Sequence, residues 1–380
     1  MRLRLATFNV ENLFTRFNFE AFVDERQQSY LPDIVQFLHS FDKGNIASFE
    51  GFRGLVETAT IIESDEKRQH TALALSDADA HIVCFQEIDS VAALRKFVDV
   101  YLNKTMTRRY HQTALHEGND PRGIDNALLA VEEVGNNEVL VYTRSNAHMR
   151  VSQLKNLPAL IQAYPAIADP AKSKGNRIFA RDCLEVDVQA DGKVLTLFVC
   201  HFKSMSGGRE ETIGRRQLEA LAVRQIIQRR FPDPAQANWI VLGDLNDYVR
   251  QIKVSSERQP DGSYRETLKD YKADDPNFTS GIDPLLDQGF AVSLVDALPV
   301  EQRWSHYYAW DRTKTQLDHM LASPKVAAAV SGGPRFIRSG QPIRVPNTGD
   351  IQRYPRVGWD RPKASDHCPL VVEINTDLLA

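Results

Sequence analysis

Two runs in the chain, VLTLFVCHF (194–202) and WIVLGDLN (239–246), are apolar at consecutive positions and then stop abruptly in polar residues. Side chains of an extended strand alternate between faces, so a run that is apolar at every position has to be covered on both sides. Such strands demand layers above and below them, which excludes a sheet with one face in water. Six further strand-like runs accompany them: RLRLATFNV (2–10), HIVCFQEI (81–88), NEVLVYT (137–143), DCLEVDVQ (182–189), LDHMLAS (317–323) and PLVVEI (369–374). DCLEVDVQ alternates more cleanly and is compatible with a solvated face.

Helical periodicity is clearest over 211–230, where Leu218, Leu221, Ala222, Ile226 and Ile227 form an apolar stripe opposite Arg and Gln. Residues 65–78 and 90–105 also read as helix. Strands and helices alternate, yet several connections are short enough for antiparallel pairing, so an α/β core of mixed sheets is expected. No internal repeat or Gly/Ser linker divides the 380 residues, which predicts a single domain over 1–380 with long loops near 20–60, 250–283 and 331–363. The last of these holds six Arg and one Lys against two Asp, interleaved with Phe336, Tyr354 and Trp359.

Composition narrows the class only a little. With 42% hydrophobic and 25% charged residues the chain can bury a full core, and its net charge of −4 gives no global sign of a nucleic-acid binder. Cys84, Cys183, Cys200 and Cys368 are far apart and form no C-x-x-C pair. They read as small buried thiols rather than disulfides or a thiolate metal site. No apolar stretch reaches signal-peptide or membrane-span length, so a cytoplasmic protein without a membrane partner is expected; no protein partner can be inferred.

The informative residues stand where the apolar runs end. TFNVE places Asn9 and Glu11 on one face, CFQEID ends in Glu87, and VCHFKS puts His201 and Lys203 on one face. LGDLND gives Asp244 and Asn246 on one face with Asp247 on the other, QLDHML gives Asp318, and SDHCPLVVEI opens with Asp366 and His367. Each alone has an ordinary explanation as a turn, a cap or a hydrogen-bonded core residue. Together they are harder to dismiss, because a carboxylate at a buried strand end is costly unless it is paired or bound to metal.

The ordered set TFNVEN, QEID, CHFKS, GDLND, LDHML and SDHCPLVVEI resembles the endonuclease/exonuclease/phosphatase superfamily, the DNase I-like metal-dependent phosphoesterases, from about Leu5 to Ile374. The resemblance implies a four-layer α/β/β/α sandwich of two mixed sheets, with the site at the edge where these strand ends converge. It implies that Asp244 orients or deprotonates the attacking water and that Asn246 holds the phosphate or the same water. His367 would contact a phosphoryl oxygen or move a proton, with Asp318 fixing its tautomer. His201 would be a second phosphate contact and Lys203 an extra cation. Glu87, with Asn9 and Asp366, would offer hard oxygen ligands to Mg²⁺ or Mn²⁺. Some relatives carry Asp where this chain has Glu11, so Glu11 is not counted as a ligand. DPRGID (120–125) matches a segment at the rim of the site in many relatives and makes Arg122 and Asp125 candidates for substrate contact. The N-terminal end of the helix over 211–230, with Arg215 and Arg216, is a further candidate for phosphate contact.

The function implied is divalent-metal-dependent hydrolysis of a phosphodiester by in-line attack of water, as in a nuclease, with a nucleic acid as partner. A phosphomonoesterase or a lipid or sugar-phosphate phosphodiesterase is the alternative, and a non-enzymatic phosphate-binding module the weaker one. The Arg-rich loop at 331–363, running directly into Ser365, Asp366 and His367, favours a polyanion.

Overall fold

The computed structural model of the chain describes residues 1–13, 65–120, 123–172, 175–261, 264–272, 278–347 and 351–379. Its first sheet has the order β16 (Arg335–Phe336), β17 (Leu370–Asn375), β1 (Arg2–Leu13), β2 (Ile82–Ile88), β4 (Asp125–Ala130), β3 (Gln112–Leu115). The second has the order β12 (Val292–Ser293), β15 (Asp318–Ala322), β9 (Trp239–Asp244), β8 (Lys193–His201), β7 (Leu184–Ala190), β6 (Asn137–Arg144), β5 (Glu133–Val134). Both sheets are mixed: β1 pairs parallel with β2 but antiparallel with β17, and β9 pairs parallel with β8 but antiparallel with β15.

The doubly apolar runs are explained by two cores. Leu197, Val199, Ile240 and Leu242 point between the sheets, into a cluster with Leu5, Ile82, Cys84 and Leu128 of the first sheet. Their neighbours Phe198, Cys200, Trp239 and Val241 point outward, against Leu218, Leu221 and Ile227 of the long helix (Arg209–Arg230). On the first sheet's side, Ala72 and Leu75 of helix α1 (Asp65–Ala78) and Leu94 and Phe97 of helix α2 (Val91–Phe97) join the main cluster. The long helix is α3 in this numbering, and the result is a four-layer α/β/β/α sandwich. All four cysteines are buried and free, with the sulfurs of Cys183 and Cys200 3.6 Å apart.

Three elements depart from expectation. The segment 250–283, expected to be a long loop, contains a hairpin, β10 (Arg250–Arg258) and β11 (Tyr264–Lys272). With β13 (His306–Tyr308) and β14 (Thr313–Thr315) it forms a small third sheet of order β11–β10–β14–β13. Its composition, RQIKVSSER and YRETLKDYK, is polar because only one face meets the core. Strand β4, DNALLA, was not visible as a strand because Ala and Leu favour helix; pairing with both β2 and β3 overrides that preference. The helix expected over 90–105 is real but passes through a π-helical turn at Val98–Leu102. The expected loop at 20–60 lies outside the described residues.

One buried ion network fixes α3 to the end of β9. Asp247, fully buried, accepts from Arg209 Nε at 2.8 Å and Arg216 Nε at 2.9 Å, and from the backbone N–H of Gly281 at 2.7 Å. Arg216 is itself fully buried and donates further to Thr212 Oγ1 and to the carbonyls of Arg209 and Lys203. A side chain at Gly281 would lie 2.6 Å from Arg216 Cβ and 2.7 Å from Asp247 Oδ2, so only glycine fits. This corrects the reading of Arg215 and Arg216 as phosphate contacts. Arg216 is spent inside the fold, and Arg215 donates to the carbonyls of Arg177 and Ile178.

Asp247→Ala is expected to lower the unfolding free energy by about 3–5 kcal/mol, since it strands two guanidinium groups in the interior. Urea denaturation followed by circular dichroism measures this. A loss under about 1 kcal/mol, the range of an exposed ion pair, would contradict the anchoring role.

Candidate active site

Register brings the polar strand ends together. His201 closes β8 opposite Asp244 in the parallel β8–β9 pair, and Asp318 opens β15 opposite Asp244 in the antiparallel β9–β15 pair. Three candidate site residues, one histidine and two aspartates, are thereby placed side by side on adjacent strands. Gly243 makes the approach possible: its φ is +135°, and a Cβ there would sit 1.9 Å from the carbonyl oxygen of Cys200. Beyond Asp244 the chain turns at Asn246, whose φ of 52° lies in the left-handed region that Asn tolerates. The turn, rather than continued strand alternation, folds Asn246 back on Asp244 and sends Asp247 the other way.

Asp244 Oδ2 is the hub. Asn9 Nδ2 and Asn246 Nδ2 each donate to it at 3.0 Å, and the Nε2 atoms of His201 and His367 stand 3.6 and 3.8 Å away. Its second oxygen accepts the Asn246 backbone N–H at 2.9 Å. Burial, followed by the Asp318 charge, pushes the Asp244 carboxyl up to about 6 despite the cation on His367. His367 Nδ1 lies 2.7 Å from Asp318 Oδ2, the only hydrogen-bond partner that the described residues give the Asp318 carboxylate. Burial works against protonation of His367, but the charges of Asp318 and Asp244 outweigh it and hold its pKa well above the ordinary histidine value.

Glu87 and Asp366 lie at the mouth, each only partly buried. Glu87 has φ 69° and sits where the β2–β4 register slips between Phe85 and Ile88. This bulge re-aims its side chain toward Asn9 Nδ2, 3.3 Å away, and His201 Nε2, 3.9 Å away. Burial and then the neighbouring Asp366 push the Glu87 carboxyl up to about 7. Burial would raise Asp366 as well, but His367, Lys363 and His306 hold it below the usual carboxylate range.

Not every expected residue takes its expected part. Asn9 presents its Nδ2 to the two carboxylates while its Oδ1 accepts the Glu11 N–H at 3.0 Å, so it binds acids together as a donor rather than offering its oxygen to a metal. Lys203 sits just past His201, with its N–H on Glu219 Oε2 and its Nζ 3.2 Å from Ser204 Oγ. Glu11 forms ion pairs with Lys363 at 2.9 Å and Arg361 at 3.4 Å. Asp125 accepts the Gly118 N–H at 2.6 Å, and burial raises its carboxyl to about 6. Arg122 lies outside the described residues.

Several supporting residues carried no readable signal. Ser305 Oγ accepts the backbone N–H of both Leu317 and Asp318 at 3.0 Å, which sets the Asp318 carboxylate in place. Ser365 Oγ donates to the Asn9 carbonyl and accepts the His367 N–H. Gln341, from the Arg-rich loop, donates to the carbonyls of Ser365 and His367. His306 packs its ring 5.3 Å from that of His367, and burial lowers its pKa to about 4. Only Ser365 could have been suspected, from its place in the SDH sequence.

The chemistry of the set suits a hard dication. Among the described residues no three His, Cys, Asp or Glu side chains are already gathered as a metal cluster. A Mg²⁺ or Mn²⁺ ion, however, keeps several waters and needs only one or two carboxylates. The Asp366 charge adds to burial in raising the proton affinity of Glu87 at an accessible mouth, which a cation held by the two carboxylates would relieve.

Comparison with known proteins follows the same lines. A sequence model of the "Endonuclease/Exonuclease/phosphatase family" matches residues 162–274. No curated protein matches the chain. Among solved structures, the human Nocturnin catalytic domain with bound sulfate anion is similar at 12% identity and TM-score 0.50, covering 98% of this chain and 94% of that one. An endonuclease/exonuclease/phosphatase family protein from Bacteroides thetaiotaomicron is similar at 12% identity and TM-score 0.47, covering 98% and 97%. D. rerio TDP2 complexed with single strand DNA product is similar at 14% identity and TM-score 0.47, covering 99% of each chain.

The His367–Asp318 pair has a measurable signature. Because its folded pKa is raised, His367 adds stability below its unfolded value near 6.5, and that stability is lost as pH rises through the higher folded value. Histidine NMR titration should show His367 titrating well above the ordinary histidine value in the wild type and lower in Asp318→Asn. Identical titration curves in the two proteins would remove Asp318 as the cause.

Proposed function

We propose that this chain, whose fold is that of the endonuclease/exonuclease/phosphatase superfamily, is a divalent-metal-dependent phosphodiester hydrolase acting on nucleic acid. The observation that carries the reading is the Asp244 carboxylate: buried, raised to about 6, and ringed by two amides and two imidazoles beside a pair of open acids. A catalytic base is most effective with a pKa near the working pH, and Asp244 is ionised at pH 7 yet basic enough to accept a proton.

In this reading Asp244 orients a water and takes its proton as the water oxygen attacks phosphorus in line with the leaving oxygen. Asn9 and Asn246, donating to Asp244 Oδ2, fix the carboxylate so that Oδ1 and Oδ2 cannot rotate away. His367, cationic and locked by Asp318, presents Nε2 to the phosphoryl oxygens, where charge grows in the transition state. His201 faces the same space from β8. Glu87 and Asp366 would hold Mg²⁺ or Mn²⁺, with Asn9 tying Glu87 to Asp244. When bound, the dication neutralises phosphoryl charge and lowers the cost of the departing oxygen's negative charge.

The substrate class is supported by the loop at 331–363. Lys363 is buried against Glu11, but Arg361, also paired with Glu11, keeps a side chain that is 65% exposed, and Trp359 near it is 70% exposed. An exposed guanidinium and indole at the mouth suit a polyanion extending beyond one phosphate. A smaller phosphate ester remains the second reading, favoured by the overall charge of −4.

Two experiments test the proposal. Protein stripped with EDTA should be inactive on DNA, RNA and bis-p-nitrophenyl phosphate, and Mg²⁺ or Mn²⁺ should restore turnover. Full activity in the metal-free protein would overturn the metal role, and hydrolysis confined to phosphoinositides or phosphomonoesters would overturn the nucleic-acid assignment. Asp244→Asn should reduce kcat by roughly 10²–10⁴ while the protein stays folded.

The Asp318–His367 pair should act as one unit. Asp318→Asn combined with His367→Ala should be little slower than His367→Ala alone. Multiplicative losses in the double variant would show that Asp318 does not work through His367.

A further inference from the structure

The register that assembles the site extends to a further strand, β13. Cys368 donates its N–H to the Ser305 carbonyl at 2.8 Å, and His306 bridges His367 in antiparallel fashion. Residues directly opposite each other in such a pair present their side chains to the same face. The His306 ring accordingly lies 5.3 Å from that of His367, tilted by 48°. On its other edge β13 pairs with β14, and the Ser305 N–H reaches the Thr315 carbonyl at 3.0 Å. Tyr307 turns the opposite way, into the main core. Backbone pairing on both sides therefore fixes where the His306 side chain points.

Packing against His367 needs only a flat ring, and a phenyl group would serve as well as an imidazole. The His306 ring makes no hydrogen bond with any of the described residues, and its nitrogens are not sealed from solvent. By contrast Asn9, Asn246 and Asp318 are each committed to a hydrogen bond within the site. The charged groups that act on His306 are His367, Asp366, Asp318 and Lys363, so its ring shares the space of the candidate site. An imidazole carries at least one N–H in either protonation state. A donor is thus held open beside His367, with nothing among the described residues to accept it.

We propose that His306 is a further substrate-binding residue, which donates a ring N–H to an oxygen of the phosphate group that His367 contacts. Two imidazoles on opposed strands, facing one way, then hold that group at two points. A second point of contact restrains its rotation, which one donor alone leaves free, and so keeps phosphorus in line with the attacking water. Both N–H groups gain in strength as negative charge grows on the phosphoryl oxygens. The inference rests on the reading of the site as a phosphodiesterase and adds a contact to it.

Binding and hydrolysis separate the two claims. Inorganic phosphate is titrated into the metal-free protein and followed through the histidine-ring NMR signals, and hydrolysis of bis-p-nitrophenyl phosphate with Mn²⁺ is assayed alongside. In the wild type, phosphate should shift the ring signals of both His306 and His367. His306→Phe keeps the packing but removes the N–H, and should weaken phosphate binding by at least about ten-fold. His306→Asn and His306→Gln carry amide nitrogens that mimic Nδ1 and Nε2, and one of them should restore most of the affinity. Unchanged melting temperatures confirm that the variants are folded. Wild-type affinity in His306→Phe, or losses in both amide variants as large as in His306→Phe, would overturn the contact. Phosphate that moves the His367 signals and leaves those of His306 still, or that does not bind the wild type, would overturn it without any variant. If phosphate binds as expected while the wild type hydrolyses no diester, the contact stands and the phosphodiesterase reading fails. If the wild type hydrolyses the diester and His306→Phe matches it in phosphate affinity and kcat/KM, the reading stands and the contact falls.

Discussion

Everything at the site depends on the register of the strands around β9. Parallel pairing with β8 sets His201 beside Asp244, and antiparallel pairing with β15 sets Asp318 on its other side. A slip of one residue in either pair would turn these side chains to the opposite face and bury different ones between the sheets. The doubly apolar sequence of β8 and β9 guards against that slip, because Leu197 and Phe198, or Val241 and Leu242, each have a core to fill. The geometry of the candidate site is thus held by hydrophobic packing several residues away from it.

The two acids of LGDLND divide the work. Asp244 keeps a raised proton affinity because it is buried, an effect that the shared imidazole of His367 and the amides of Asn9 and Asn246 only partly offset. Asp247, three positions on, faces two arginines in the interior and anchors α3 and the Gly281 turn. The chain therefore places a carboxylate of the candidate site and a structural one within one turn. The left-handed residue between them, Asn246, decides which is which.

Charge is also layered by depth. The floor of the site holds Asp318, His367, Asp244 and His201, all buried and mutually bonded or in close contact. The mouth holds Glu87 and Asp366, which are partly open and repel each other. Behind Asp366, Lys363 and Lys67 are buried around Glu11, so the acid that some relatives place as Asp is here tied into an internal ion network. The backbone at Glu11, Asn12 and Glu87 adopts positive φ. Local strain of this kind persists because the packed strands beneath over-determine it.

The sequence by itself determined the strands that are apolar on both faces, the long helix, and the polar residues at the strand ends, because periodicity and abrupt changes of polarity are local properties. It made Asp244, Asn246, His201, Asp318 and His367 legible as one group through their order along the chain. It did not reveal β4, whose Ala and Leu residues favour helix, or the third sheet, whose polar strands have only one buried face. Nor could it separate the buried Arg216 from a phosphate-binding arginine, or show that Asn9 bonds through its nitrogen. Ser305, Gln341 and His306 became visible only in three dimensions. Hydrogen-bond direction, burial of a charge and the meeting of residues from distant strands depend on what packs opposite, and only the tertiary structure decides that.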